Sequence, residues 1–170
     1  MKNPLLVNAL ELLRRPGSER AVDLDVDPSL LDLVDPRVAP DSAIAVHLSC
    51  SSLSDGIVVE GTIDARFRSE CRRCLMPIDG PIQAPVRELY QTTLTDPDAF
   101  PILNDQIDLG PMIRETVLLD LPEAPLCSAD CKGLCPVCGA DRNRTECRCV
   151  VDSRDPRWAA LDAIRDRLPD

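Results

Sequence analysis

Eight of the nine cysteines in this 170-residue chain stand in four close pairs: Cys71/Cys74, Cys127/Cys131, Cys135/Cys138 and Cys147/Cys149. Only Cys50 is alone. A structural zinc ion takes four ligands in a tetrahedron, and a short pair of cysteines spans one edge of it. The four pairs therefore make two complete four-cysteine sites. This arithmetic constrains the fold more than any hydrophobic pattern, because metal ligands must converge wherever they lie along the chain.

The strongest local motif is Cys135-Pro136-Val137-Cys138-Gly139. Two thiolates at this spacing chelate one ion, the glycine permits a positive φ, and the amides of the turn can donate to the sulfurs. A redox-active C-x-x-C opens a helix after a strand, whereas this one lies in a turn-rich stretch with further cysteine pairs around it. Metal is the better reading. Loop-closure entropy favours nesting Cys135 and Cys138 with Cys147 and Cys149, which leaves Cys71 and Cys74 to meet Cys127 and Cys131. The competing arrangement puts Cys127, Cys131, Cys135 and Cys138 on one ion and sends Cys71/Cys74 to Cys147/Cys149.

Neither site has the open position and neighbouring His or Glu of a catalytic zinc. The sole histidine, His47, falls on the wet face of an alternating segment, and its context lacks the H-x-E of a zinc deaminase. The same shortage of bases argues against a cysteine nucleophile. Cys50 continues the buried alternation of Ile44, Val46 and Leu48, a packing position. Seven glycines form no phosphate-cradling loop. No enzyme and no small-molecule substrate are expected.

With 29 acidic residues against 19 Lys and Arg, the net charge is −10. That balance opposes indiscriminate adhesion to nucleic acid, whose non-specific affinity comes from cations neutralising phosphates. The distribution is uneven. Residues 64–74 carry Arg66, Arg68, Arg72 and Arg73 against Asp64 and Glu70, and residues 127–157 carry Lys132 and five Arg against five acids. Positive charge thus gathers around the cysteines. Phe67, Tyr90, Phe100 and Trp158 are the whole aromatic inventory, too few for a base-stacking platform. Contact with RNA would run through arginines and shape, or through a protein partner. No run approaches the roughly 20 apolar residues of a membrane span, and the N-terminus lacks a signal-peptide pattern. A cytoplasmic protein is expected, in a compartment where clustered thiols stay reduced.

Along the chain, Leu5–Leu13 reads as a short helix and Ala21–Val26 as a first strand. Residues 27–42 read as connection, with one helical turn near Ser29–Val34. Alternation then marks a strand at Ile44–Cys50, an Asp55-Gly56 hairpin needing positive φ, and a long strand from Ile57 to Phe67. A third strand holds Ile82, Ala84 and Val86, with Tyr90 beyond, so Cys71 and Cys74 lie between two antiparallel strands. Residues 93–107, broken by Pro97 and Pro101, read as loop. Asp108 then caps a helix with Pro111 in its first turn and a stripe of Met112, Ile113, Thr116 and Val117. Residues 127–149 hold too few apolar side chains to fold without metal. A last helix follows Asp155 and Pro156, with Trp158, Leu161, Ile164 and Leu168 on one face. The fold class expected is α+β: an antiparallel, partly barrel-like sheet with N- and C-terminal helices and a cysteine-rich zinc segment. Residues 1–126 would form the sheet core and residues 127–170 the zinc segment and final helix, packed as one unit.

The stretches Cys71-Arg72-Arg73-Cys74-Leu75, Cys131-Lys132-Gly133-Leu134-Cys135-Pro136-Val137-Cys138-Gly139, Cys147-Arg148-Cys149 and Asp155-Pro156-Arg157-Trp158 resemble the YceD family. That family is described as required for accumulation of large-subunit ribosomal RNA. The resemblance implies a non-enzymatic role in ribosome biogenesis, with two structural zinc ions held by the eight paired cysteines. The partner would be a large-subunit ribosomal RNA precursor, with Arg66, Arg68, Arg72, Arg73 and Lys132 as candidate phosphate contacts. The alternative is an adaptor whose acidic surface docks a basic ribosomal protein. A redox sensor stands third.

Overall fold

A computed structural model of the chain describes residues 3–150, 156–158 and 161. Among the described residues seven strands form one sheet curled into a half-barrel, in the order β1 (Leu6–Asn8), β7 (Gln106–Asp108), β6 (Phe100–Leu103), β5 (Pro77–Gln91), β4 (Ile57–Glu70), β3 (Ile44–Ser52) and β2 (Glu19–Val26). The three long central strands follow the alternation of their apolar residues. They are β3 (Ile44–Ser52), β4 (Ile57–Glu70) and β5 (Pro77–Gln91), preceded by β2 (Glu19–Val26) at one edge. Registers such as Val22↔Leu48 and Ile63↔Ala84 carry each apolar row onto one face. Val46, Cys50, Val59 and Ile63 are buried there, and Cys50 is a packing residue. Burial of this kind contributes about 25 cal/mol per Å² of apolar surface.

The expectation for residues 93–107 needs correction. They contain β6 (Phe100–Leu103) and begin β7 (Gln106–Asp108). Pro101 is tolerated because it is paired on one side only, opposite Gln91, in a parallel contact that also sets Tyr90 against Phe100. One parallel contact therefore interrupts an otherwise antiparallel sheet. The turn between β6 and β7 places Asn104 and Asp105 at positive φ (52° and 56°), which these residue types accept more readily than most.

The N-terminal expectation is also half met. Leu5, Val7 and Ala9 are buried at a period of two, and β1 (Leu6–Asn8) pairs with β7. Only Leu10–Arg14 is helical (α1), and the Asn8 side chain accepts from the Leu10 amide at 2.9 Å. Pro28–Leu31 forms a 3-10 turn, with Asp27 accepting from Ser29. Gly56 is not among the positive-φ residues. Glycine is needed there for a different reason, since a Cβ would collide with the Tyr90 carbonyl oxygen.

Helix α2 (Gly110–Leu119) packs against β4, β5 and the 3-10 turn through Met112, Ile113 and Val117. The Asp108 carboxylate accepts from the Gly110 amide at 2.9 Å, but it does so from one residue before the N-cap position, which Leu109 occupies without a side-chain cap bond. Tyr90, buried at the end of β5, donates its hydroxyl to the Asp108 carbonyl at 3.2 Å and stacks on Phe100. Of the last helix, only the 3-10 turn Pro156–Trp158 and Leu161 are described, with Trp158 and Leu161 exposed. The remainder of that expected helix lies outside the described residues. Among the described residues, no helix is long and apolar enough to cross a membrane.

The end of the β4–β5 hairpin positions the cysteines. There Cys71, Cys74 and Cys131 form a small buried cluster of their own, covered by Met76, Leu126, Cys127 and Leu134. The Arg72 amide bonds the Pro125 carbonyl and the Leu134 amide bonds the Arg73 carbonyl, fastening the C-terminal segment to the hairpin tip.

Candidate metal centres

Two five-residue turns of the same design begin the two sites. In Cys71–Leu75 the Leu75 amide closes on the Cys71 carbonyl at 2.8 Å, and in Cys135–Gly139 the Gly139 amide closes on the Cys135 carbonyl at 2.8 Å. Each ends in a left-handed residue, Leu75 at φ 59° and Gly139 at φ 72°. The sequence supplies glycine at the second position only, and Leu75 adopts at the first a conformation that costs an ordinary residue about 1–2 kcal/mol. Such a turn aims successive amides at its sulfurs.

The eight cysteines converge as two tetrads. Cys71, Cys74, Cys127 and Cys131 form one, Cys135, Cys138, Cys147 and Cys149 the other, with all sulfurs of a tetrad within 4.8 Å of one another. This is the arrangement favoured by loop closure, not its competitor. In the first tetrad the Cys71–Cys131 sulfurs are 3.7 Å apart and the Cys74–Cys127 sulfurs 3.6 Å. Those are too long for a disulfide of about 2.05 Å. They match the edge of about 3.8 Å that Zn–S bonds of about 2.3 Å impose on a tetrahedron. The donor set is all sulfur and four-fold in each case, which suits a structural ion.

The protonation tendencies point the same way. Burial pushes the Cys71 thiol up, but the amides of Cys127, Arg73 and Cys74 outweigh it and hold the pKa at about 6. The Met76 amide favours the Cys74 thiolate, yet burial and the sulfurs of Cys127, Cys71 and Cys131 push that thiol up to about 12. In the second tetrad the Cys138 and Val137 amides bring Cys135 down to about 6, while the Cys138 sulfur, burial and Cys135 drive Cys149 up to about 12. Each tetrad thus mixes thiols held below the ordinary value (Cys71 and Cys131 in the first, Cys135 in the second) with thiols that their neighbours push up. A divalent cation at the centre removes that repulsion and lets all four ionise.

The tetrads differ in exposure. Cys71 (0%), Cys74 (7%) and Cys131 (3%) are buried in the first, whereas Cys138 is exposed and Cys147 and Cys149 are half-buried in the second. Asn143 supports the first tetrad from outside, donating from Nδ2 to the Cys131 sulfur at 3.4 Å while its Oδ1 accepts from the Lys132 amide. Sequence reasoning missed Asn143. Nothing local to it signals a contact with a cysteine twelve residues earlier in the chain.

The basic candidates lie in two groups. Arg66 and Arg68, on the outer face of β4, are held by Asp79 and Asp41 at 2.7 and 2.8 Å. Asp41 gets there because residues 37–39 pair with the far end of β4. Arg73 donates to the Cys131 carbonyl at 2.9 Å, and Arg72 and Lys132 are exposed beside the first tetrad. His47 lies on the wet face, as expected, with Nδ1 at 2.8 Å from Asp23.

Residues 59–165 match the family described as large ribosomal RNA subunit accumulation protein YceD. An uncharacterized protein of Mycobacterium tuberculosis is 32% identical over 167 residues, covering 94% of this chain and 80% of that protein. One of Mycobacterium leprae is 35% identical over 179 residues, covering 98% and 81%. The chloroplastic large ribosomal RNA subunit accumulation protein YCED homolog 1 of Arabidopsis thaliana is 32% identical over 69 residues, which is 41% of this chain and 22% of that protein. No solved structure matches.

Proposed function

Since the chain belongs to the YceD family, we propose that it is a non-enzymatic ribosome biogenesis factor that supports processing or accumulation of large-subunit ribosomal RNA. Two zinc ions, one in each tetrad, hold its fold, and it works in the cytoplasm. The observation that supports this reading best is the pair of closed four-sulfur sets, the first of them built on the tip of the β4–β5 hairpin. Four thiolates leave zinc no position for water or substrate, so the metal organises a surface instead of performing a reaction. That surface carries Arg72, Arg73 and Lys132. Sedimentation of the purified protein with large-subunit precursors at low salt tests the reading. Cosedimentation that RNase abolishes supports it, and none at low salt refutes it.

A second reading has its own observation. On the outer face of the sheet Asp23, with Asp64 and Asp25 behind it, raises the pKa of His47, marking a concentrated negative patch. A basic ribosomal protein would find complementary charge there. Capture of such a protein in an RNase-resistant complex favours the adaptor.

A further inference from the structure

We infer that Lys132, Arg142 and Arg148, with the hydroxyl of Thr145, form a phosphate-binding cleft between the two cysteine tetrads that takes the backbone of ribosomal RNA. The inference deepens the RNA reading above and rests on it. A cleft of about 380 Å³ is lined by Lys132, Arg142, Thr145, Glu146, Cys147 and Arg148. Three cations face one carboxylate there. Lys132 directly follows Cys131 of the first tetrad, Arg148 stands between Cys147 and Cys149 of the second, and Arg142 lies on the loop joining Cys138 to Cys147.

The backbone beneath these side chains is fixed. The Lys132 amide donates to Asn143 Oδ1 at 2.8 Å, the Arg142 amide to the Gly133 carbonyl at 2.9 Å, and the Thr145 amide to the Asp141 carbonyl at 2.9 Å. The side chains themselves are uncommitted. Lys132, Arg142 and Arg148 are exposed, and among the described residues none of the three makes a side-chain hydrogen bond or an ion pair. Most other cations nearby are engaged: Arg66 with Asp79, Arg68 with Asp41, Arg144 with Asp141, and Arg73 with the Cys131 carbonyl, while the exposed Arg72 lies outside the lining of the cleft. An ion-paired guanidinium must surrender its carboxylate before it takes a phosphate. A free one need not.

The bland explanation is that the three cations merely screen the thiolates. Screening by direct contact would have them donate to sulfur, yet among the described residues the side chain that donates to a tetrad sulfur is Asn143, on Cys131. With four aromatic residues in the chain, grip on RNA must come from charge and not from base stacking.

The test is binding of the organism's own large-subunit ribosomal RNA, transcribed in vitro, over a range of salt concentrations. The variant Lys132→Gln/Arg142→Gln/Arg148→Gln changes only exposed side chains, and its zinc content and thermal midpoint serve as folding controls. Losing three phosphate contacts should flatten the slope of log K against log salt by about 2–3, with zinc unchanged. Arg66→Gln/Arg68→Gln should change it by less than about 1. A wild-type slope in the triple variant overturns the cleft while leaving the RNA reading intact. No RNA binding by the wild type at low salt overturns both. An RNase-resistant basic partner captured equally by wild type and triple variant, without RNA, also overturns the cleft and favours the adaptor.

Discussion

Gly133 is where the two tetrads meet, two residues after Cys131 and two before Cys135, and replacing it by alanine tests how they are joined. Its φ is +70°, and its carbonyl accepts from the Arg142 amide. A Cβ there would stand 2.9 Å from the Arg73 carbonyl oxygen and 3.3 Å from the Arg73 Cβ. That carbonyl already accepts from the Leu134 amide at 2.9 Å, so it is not free to retreat. Two costs therefore add. The left-handed backbone costs alanine about 1–2 kcal/mol, less about 0.4–1 kcal/mol regained because the unfolded chain is stiffer, or about 1 kcal/mol net. Crowding against a fixed carbonyl adds about 1–3 kcal/mol, for a total of about 2–4 kcal/mol. Gly139 supplies the control, since its φ is +72° but a Cβ there meets nothing within 4 Å. Gly139→Ala should cost only the backbone share. Where folding is coupled to metal binding, such losses appear as weaker zinc affinity, at about 1.4 kcal/mol per factor of ten. Competition with a coloured chelator should find zinc held about fivefold more weakly in Gly139→Ala and about 30- to 700-fold more weakly in Gly133→Ala. Equal losses in the two variants would refute the claim that the Arg73 contact joins the tetrads.

Cys135→Ser should release one zinc ion and open residues 133–149 to protease while the first tetrad keeps its ion, because that tetrad's ligands come from other segments; unchanged protease resistance would count against metal-driven folding there. His47 should titrate above its ordinary 6.5, because the Asp23 side chain is bonded to it and further carboxylates lie nearby. With the folded pKa raised, the pair's contribution is fully present below about 6.5 and is lost as pH rises through the folded value; both groups are exposed, so the effect on stability is small. NMR titration should show this pKa falling in Asp23→Asn, and no fall would show the pair to be idle. Tyr90→Phe removes the donor to the Asp108 carbonyl and should cost about 1 kcal/mol in urea unfolding. An unchanged midpoint would mean that the bond does not fasten the end of β7 to the end of β5.

Much of the central sheet was legible because β3, β4 and β5 alternate cleanly between apolar and polar residues, and only one register buries Val46, Ile63 and Ala84 together. The tetrad partnership was legible too, since loop closure distinguishes the two ways of nesting four pairs. The short edge strands were not. Pro101 reads as a breaker, and nothing local reveals that it needs a partner on one side only. Leu5–Leu13 satisfies a helical and an alternating pattern at once, and the choice is made by pairing with Ile107, a hundred residues on. Which arginines are free was equally hidden. Arg66 and Arg68 look available until β5 and residues 37–41 bring Asp79 and Asp41 beside them.

Everything proposed for this chain depends on the tetrads holding metal. Elemental analysis with X-ray absorption, on untagged protein purified without added zinc, measures that directly. The expected result is two zinc ions per chain, each with four sulfur neighbours at about 2.3 Å. Protein that is folded and contains no zinc, or zinc ligated by nitrogen or oxygen, would contradict it.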